Sequence, residues 1–335
     1  MAGSATAFLA ALAPEQRARV QRPFADDAAR TNWSNLPTSI YPRTGLPLSE
    51  MTSAQRVAFH DLLAAATSSQ GYAKATTIMW LEEILRDLDR DRLASGQFRA
   101  DMAERFRGVI ASRQADNYWV MVFGTPGSAN WGWMLTGHHL AANFTVVDGK
   151  VGFTPLFVGT EPQVVKDGLF AGWRVLDHEI LRAFALVRTL DVAQRKAAVV
   201  ADKVAADEFT GRGREASLKA MVGIPAAKLD AGQQRLLWGL IREFVGSAAD
   251  EAADVQMRKI EKDGLAKLQF AWWGPTDDPS KRFMYRIHGP SILIEYVREE
   301  RNGSPSNHVH AIVRDPSNDY GGDWLAKHYK EEPHP

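Results

Sequence analysis

The sequence predicts an α+β fold, with helical N-terminal and middle segments packed on a mixed, mainly antiparallel sheet. Three observations carry that prediction. Apolar residues recur at helical spacing through 1–105 and again through 160–265. The period shortens to strand-type runs over 117–158 and 267–314. The dipeptide Asp148-Gly149, set between two such runs, supplies the positive φ that a tight β-hairpin needs.

Taken in order, Met1 to Val20 reads as an amphipathic first helix, because Ala7 to Ala13 is apolar and Gln16 to Val20 continues the pattern. No basic region precedes that stretch, so it is not expected to be a leader peptide. Trp33 to Pro47, with three prolines and a glycine, is a loop. Met51 to Ser68 and Lys74 to Leu93 are helices, the first with Thr52 or Ser53 as cap. Tyr118 to Phe123 is a strand, Gly124 to Gly132 a turn-rich loop, and Leu140 to Val147 with Val151 to Val158 the hairpin. Ala171 to Thr189 and Gln233 to Phe244 return to helix, and Asp207 to Gly223, with three glycines, is an irregular connection. Four strands follow, at Lys267 to Trp273, Arg282 to His288, Ser291 to Arg298 and Asn307 to Arg314. A closing helix lies within 319–330. The whole of 1–335 reads as one domain. A lone hairpin is marginal in water, so the middle and C-terminal strands are expected to share a sheet. That sharing would bring Gly137-His138-His139 near His308-Val309-His310.

Forty basic residues balance forty acidic ones, which gives no global field to attract nucleic acid or an anionic membrane. The expected partner is a small-molecule substrate, with no nucleic acid and no membrane, and the oligomeric state is left open. No apolar run approaches the ~20 residues of a membrane span. There is no cysteine, which removes disulfides, thiolate nucleophiles and sulfur-ligated metal sites. A cytoplasmic or a periplasmic location fits equally.

Five of the nine histidines fall in three short polar motifs: Gly137-His138-His139, Asn307-His308-Val309-His310, and His328 in a segment with Asp315, Asp319 and Asp323. Imidazoles and carboxylates bind divalent metals and move protons near neutral pH. On a strand, His308 and His310 share one face, placing two imidazoles side by side. Adjacent His138 and His139 would point to opposite faces, so at most one reaches the same site without a bulge. Asp319 reads either as a ligand or as a helix-start residue, and Asp315, before Pro316, as a turn anchor first. Arg286 could hold a carboxylate. Glu295 interrupts a buried-looking strand and reads as a base, a ligand or a partner for Arg286. Trp131, Trp133, Trp272 and Trp273 read as core or as an apolar wall for a ligand. His60, His178, His288 and His334 read as structural or exposed. No dinucleotide-binding glycine motif, phosphate loop, His-Glu-Xaa-Xaa-His or Gly-Xaa-Ser-Xaa-Gly elbow is present.

The segment from Trp131-Gly132-Trp133 through Gly137-His138-His139-Leu140 to Asn143-Phe144-Thr145, with Pro155 to Gly159 after it, resembles the DUF3500 family. So does the C-terminal block from Tyr285 to Pro290, Ile294-Glu295-Tyr296, Asn307 to His310, Arg314-Asp315 and His328-Tyr329. The family has no assigned function. The resemblance therefore implies that both blocks belong to one fold and carries no catalytic assignment.

The expected site holds a divalent metal, zinc favoured with copper or iron as alternatives. Its ligands are drawn from His138, His139, His308, His310, His328 and Asp319. Glu295, Arg286 and Asp315 are the candidate catalytic groups, with Glu295 shuttling a proton and Arg286 orienting an anionic substrate. Three His plus an open position is a catalytic zinc arrangement, so the expected function is a metal-dependent hydrolase. A copper or iron oxidoreductase, and a non-catalytic metal- or ligand-binding protein, are the alternatives.

Overall fold

Two sets of strands, separated by a hundred residues of mainly helical chain, meet edge to edge in the computed structural model. It describes residues 1–96, 100–205, 209–212, 220–301 and 304–331. The strands are β1 (Gln21–Arg22), β2 (Leu46–Pro47), β3 (Tyr118–Gly124), β4 (Asn130–Gly137), β5 (Leu140–Val147), β6 (Lys150–Gly152), β7 (Leu156–Thr160), β8 (Val199–Ala201), β9 (Ile224–Pro225), β10 (Gln269–Trp273), β11 (Met284–Gly289), β12 (Ile292–Arg301) and β13 (Ser304–Arg314). They form one mixed sheet of order β1-β3-β4-β5-β7-β13-β12-β11-β10-β8, with β2, β6 and β9 paired to β3, β5 and β10. The helices are α1 (Ala2–Ala11), α2 (Pro14–Val20), α3 (Asp27–Arg30), α4 (Ser53–Ala66), α5 (Ser69–Ala94), α6 (Ala100–Ala111), α7 (Asp177–Thr189), α8 (Val192–Ala198), α9 (Ala231–Val245), α10 (Asp250–Asp263) and α11 (Gly322–Glu331). No helix among the described residues is long and apolar enough to cross a membrane.

The join between the halves is the antiparallel pair β7–β13, which sets His310 opposite Gly159 and Ile312 opposite Phe157. Side chains alternate across each strand. Val309, Ala311 and Val313 of β13 turn into the large core that includes residues of α1, α4, α5, α7, α9 and α10. Residues at 308, 310, 312 and 314 turn to the other face. There Ile312 packs with Phe157, Met134, Ala141 and Trp33, and Phe209 lies against them.

The α+β class and the shared sheet are as the sequence predicts, and four local expectations change. The first helix divides into α1 and α2 at Leu12-Ala13-Pro14, because proline at the start of α2 cannot continue the helix before it. The expected loop through Gly132 overlaps β4, whose Gly137 lies against the ring of Tyr118 where a Cβ would sit 2.3 Å away. α7 starts at Asp177 rather than Ala171, since Gly168 and Gly172 hold left-handed φ values of 81° and 95°. The second strand of the hairpin is broken into β6 and β7, both paired to β5. The expected connection Asp207 to Gly223 lies in part outside the described residues, and His334 lies wholly outside them.

Candidate metal centre

His139 reaches the site because it sits in a turn. β4 ends at Gly137 and β5 begins at Leu140, so His138 and His139 are the two residues of that hairpin turn, with His139 at φ 61°. A left-handed non-glycine residue costs roughly 1–2 kcal/mol, and the surroundings hold it in place. Gly159 N donates to His139 O at 2.7 Å, and Tyr118 Oη donates to His138 O at 2.9 Å.

His308 and His310 come from β13 by strand alternation, as the spacing predicts. Gly159, opposite His310, lets the rings close up: a Cβ there would lie 2.8 Å from His310 Cδ2 and 3.0 Å from His139 Cδ2. The Nε2 atoms of His139 and His308 are 2.9 Å apart, as are those of His308 and His310. A ligand nitrogen from each of the three lies within 4.8 Å of the others. The His139 ring is buried, while the side chains of His308 and His310 are 19% and 12% exposed, so the trio opens on one side.

Carboxyl groups stand behind the rings. His310 Nδ1 donates to Glu299 Oε1 at 3.0 Å, and His308 Nδ1 lies 3.9 Å from Glu161 Oε2. A carboxylate on Nδ1 fixes the tautomer that turns the Nε2 lone pair inward. Burial alone would raise the Glu299 carboxyl, but the His310 bond and charge, with Arg282, hold it below the usual carboxylate value. His139 is pushed well below the ordinary histidine value, by burial first and then by His138, His308, His310 and Arg113. At pH 7 it is neutral, so one of its two ring nitrogens carries a lone pair.

His138 stacks on His139 at 3.6 Å and turns away from the trio. Its Nδ1 is 2.6 Å from Glu82 Oε1 and 2.9 Å from Arg113 Nη1. Burial lowers its pKa, against the pull of Glu82. Glu82, His138 and His139 also approach closely enough to hold an ion. The Arg113 guanidinium, 3.5 Å from Glu82 and 2.6 Å from Asp89, already supplies the positive charge there. Arg92 bonds both Asp89 (2.7 Å) and Glu161 (3.0 Å), which links the His138 side to the His308 side through α5.

Besides His138, five expected site residues stand outside the trio. His328 pairs with Asp148 at 3.1 Å, at the opposite end of β5 from the His138-His139 turn, roughly 25–30 Å along that strand. Asp319 bonds Arg314 at 2.9 Å and caps the Asp315 amide at 3.0 Å; burial raises its pKa against the Arg314 interaction. Asp315 holds Lys259 at 2.6 Å and accepts from Ser317, the turn-anchor reading. Arg286 Nε donates to Glu295 Oε1 at 2.6 Å, and Glu295 Oε2 accepts from Thr210 N at 2.7 Å and from the Thr210 hydroxyl. Trp131, Trp133 and Trp272 are core, and Trp273 lies under the Arg286 guanidinium at 5.0 Å.

The sequence reading passed over Glu82, Asp89, Arg113, Glu161, Glu299 and Gly159. One signal was available for the first two: Glu82 and Asp89 fall on the same helical stripe as Ile78 and Leu85, where a carboxyl is out of place unless partnered.

The family model described as "Protein of unknown function (DUF3500)" matches residues 1–322. No curated protein and no solved structure matches the chain.

Proposed function

The chain belongs to the DUF3500 family, and for it we propose a metal-dependent hydrolase whose ion is held by His139, His308 and His310. The observation that carries this reading is the convergence of three Nε2 atoms, two pairs of them at 2.9 Å, with a carboxyl hydrogen-bonded behind His310. With the Nδ1–H of His310 turned to Glu299, its Nε2 lone pair faces the other two rings, where a cation could be held among the three Nε2 atoms. Zn–N bonds of about 2.0–2.1 Å in a tetrahedral set place nitrogens about 3.3 Å apart, so the two pairs at 2.9 Å need to open by only a few tenths of an ångström.

Charge supports the same reading. Carboxyls of Glu161 and Glu299 lie behind His308 and His310, a setting that favours a cation among the rings. An ion held by His139, His308 and His310 would supply Lewis-acid chemistry and activate water for hydrolysis of a carbonyl or similar centre. The open side beside His308 and His310 would admit the substrate. Glu295, held by Arg286 and Thr210, has no role in this reading.

The test is elemental analysis of purified protein reconstituted with zinc, copper or iron. Wild type is expected to carry about one ion per chain, and His308→Ala/His310→Ala none, with chelation abolishing ester hydrolysis. Wild type without metal after reconstitution would overturn the proposal. The all-nitrogen set also favours copper over iron, whose oxygenase sites include a carboxylate ligand. One copper with oxygen uptake in place of hydrolysis would make the protein an oxidoreductase.

A further inference from the structure

Resting on the metal-hydrolase reading, we infer that the substrate is a neutral molecule with an aromatic group beside the bond that is cleaved, and that Phe209 is the wall that selects it. The accessible side of the trio is the His308–His310 side. There the rings next to His310 are those of Phe157, at 5.3 Å between centroids, and Phe209, at 6.3 Å. The two phenylalanines meet edge to face at 85°. Phe157 is buried and forms a floor, whereas Phe209 is half-buried.

Phe209 is held there by its neighbour. Thr210 gives both its amide and its hydroxyl to Glu295 Oε2, and Glu295 is fixed by Arg286. Gly211 O accepts from Arg314 Nη2 at 3.5 Å. The buried Arg286–Glu295 pair thus anchors a wall of the site without touching its reacting atoms. A flat apolar ring fixed beside a metal ligand gains most from a flat apolar ligand group. Arg92 and Arg113 are already bonded to carboxyls, so neither is available to hold an anionic group on that ring.

The experiment uses full-length protein loaded with Co(II) and three metal-chelating probes: acetohydroxamate, benzohydroxamate and 4-carboxybenzohydroxamate. Binding is read from the visible Co(II) spectrum and referenced to the same probes on free Co(II). Wild type is expected to favour benzohydroxamate over acetohydroxamate by about tenfold or more, and to bind the carboxylated probe more weakly. Phe209→Ala should bring the aryl preference close to one with Co(II) uptake unchanged. Phe209→Leu, which keeps apolar volume and loses the flat ring, should lower it partway. Equal affinities in wild type, or a preference that survives both substitutions, overturns the Phe209 assignment. Tighter binding of the carboxylated probe overturns the neutral substrate. Failure of wild type to take up Co(II) overturns the metal reading itself, and this inference with it.

Discussion

The trio of His139, His308 and His310 and the pair of Arg286 and Glu295 lie on the same face of the same sheet. Val297, the cross-strand neighbour of His310, is only two residues from Glu295 on β12. Both regions are rich in ionisable groups, and their chemistry is opposite. In the pair, the guanidinium and carboxylate answer each other, and Thr210 fills the remaining oxygen. In the trio, three ring nitrogens meet, two pairs of them 2.9 Å apart, with a carboxyl hydrogen-bonded behind His310 and another 3.9 Å from His308. The comparison teaches that ionisable residues alone do not mark a site. What singles out the trio is the convergence of three like groups on one point.

The largest expected effect falls on the closed region. Glu295→Ala removes the buried carboxylate that Arg286 and Thr210 both bond and should cost about 3–5 kcal/mol, seen as a drop in the urea midpoint. Arg286→Met/Glu295→Leu should recover much of that loss. Neither variant should change the number of ions bound, and a lost ion would break the division between the regions. Glu299→Gln comes next: it should weaken metal affinity about 10–100-fold with little change in stability, measured by competition with a chelating dye. An unchanged affinity would mean that the carboxyl behind His310 does not set the lone pair.

His328→Ala sharpens the contrast from the other side. It removes a buried imidazole bonded to Asp148 and should cost roughly 1–3 kcal/mol of stability while leaving metal affinity intact. The smallest effect is on pH. In metal-free protein the His139 pKa lies below its unfolded value near 6.5. The unfolded chain therefore binds more protons in the window below about 6.5, and stability, full above that value, falls as the pH drops through it. His139→Asn should flatten this slope by no more than about 1.4 kcal/mol per pH unit in urea titrations at pH 5–7.5. His138, also lowered, should carry part of what remains.

Much of the architecture was legible, for local reasons. The apolar period changes at Asn117 and Lys267 because α-helices and strands expose their faces at different intervals. The i, i+2 spacing of His308 and His310 placed them on one face, since side-chain alternation is a property of any strand. Asp148-Gly149 marked its hairpin because positive φ is chemically selective, and the residues there adopt 49° and 76°. The three polar motifs of the sequence did not all converge. The Asp315, Asp319 and His328 group reads like the other two, and its members satisfy one another or near neighbours.

By itself, the sequence determined the α+β class, the strand blocks, the family and the shared face of His308 and His310. Only the tertiary structure decided which of His138 and His139 joins them, because that depends on a two-residue turn between strands rather than on strand alternation. It also supplied the carboxyls at Glu161 and Glu299, the Arg113 that fills the neighbouring cluster, and the glycine gap at residue 159. Those partners come from sheet register and from a helix packed across the end of the sheet. Pairings over 50 to 170 residues are fixed by the free energy of the whole assembly, and no short-range pattern encodes them.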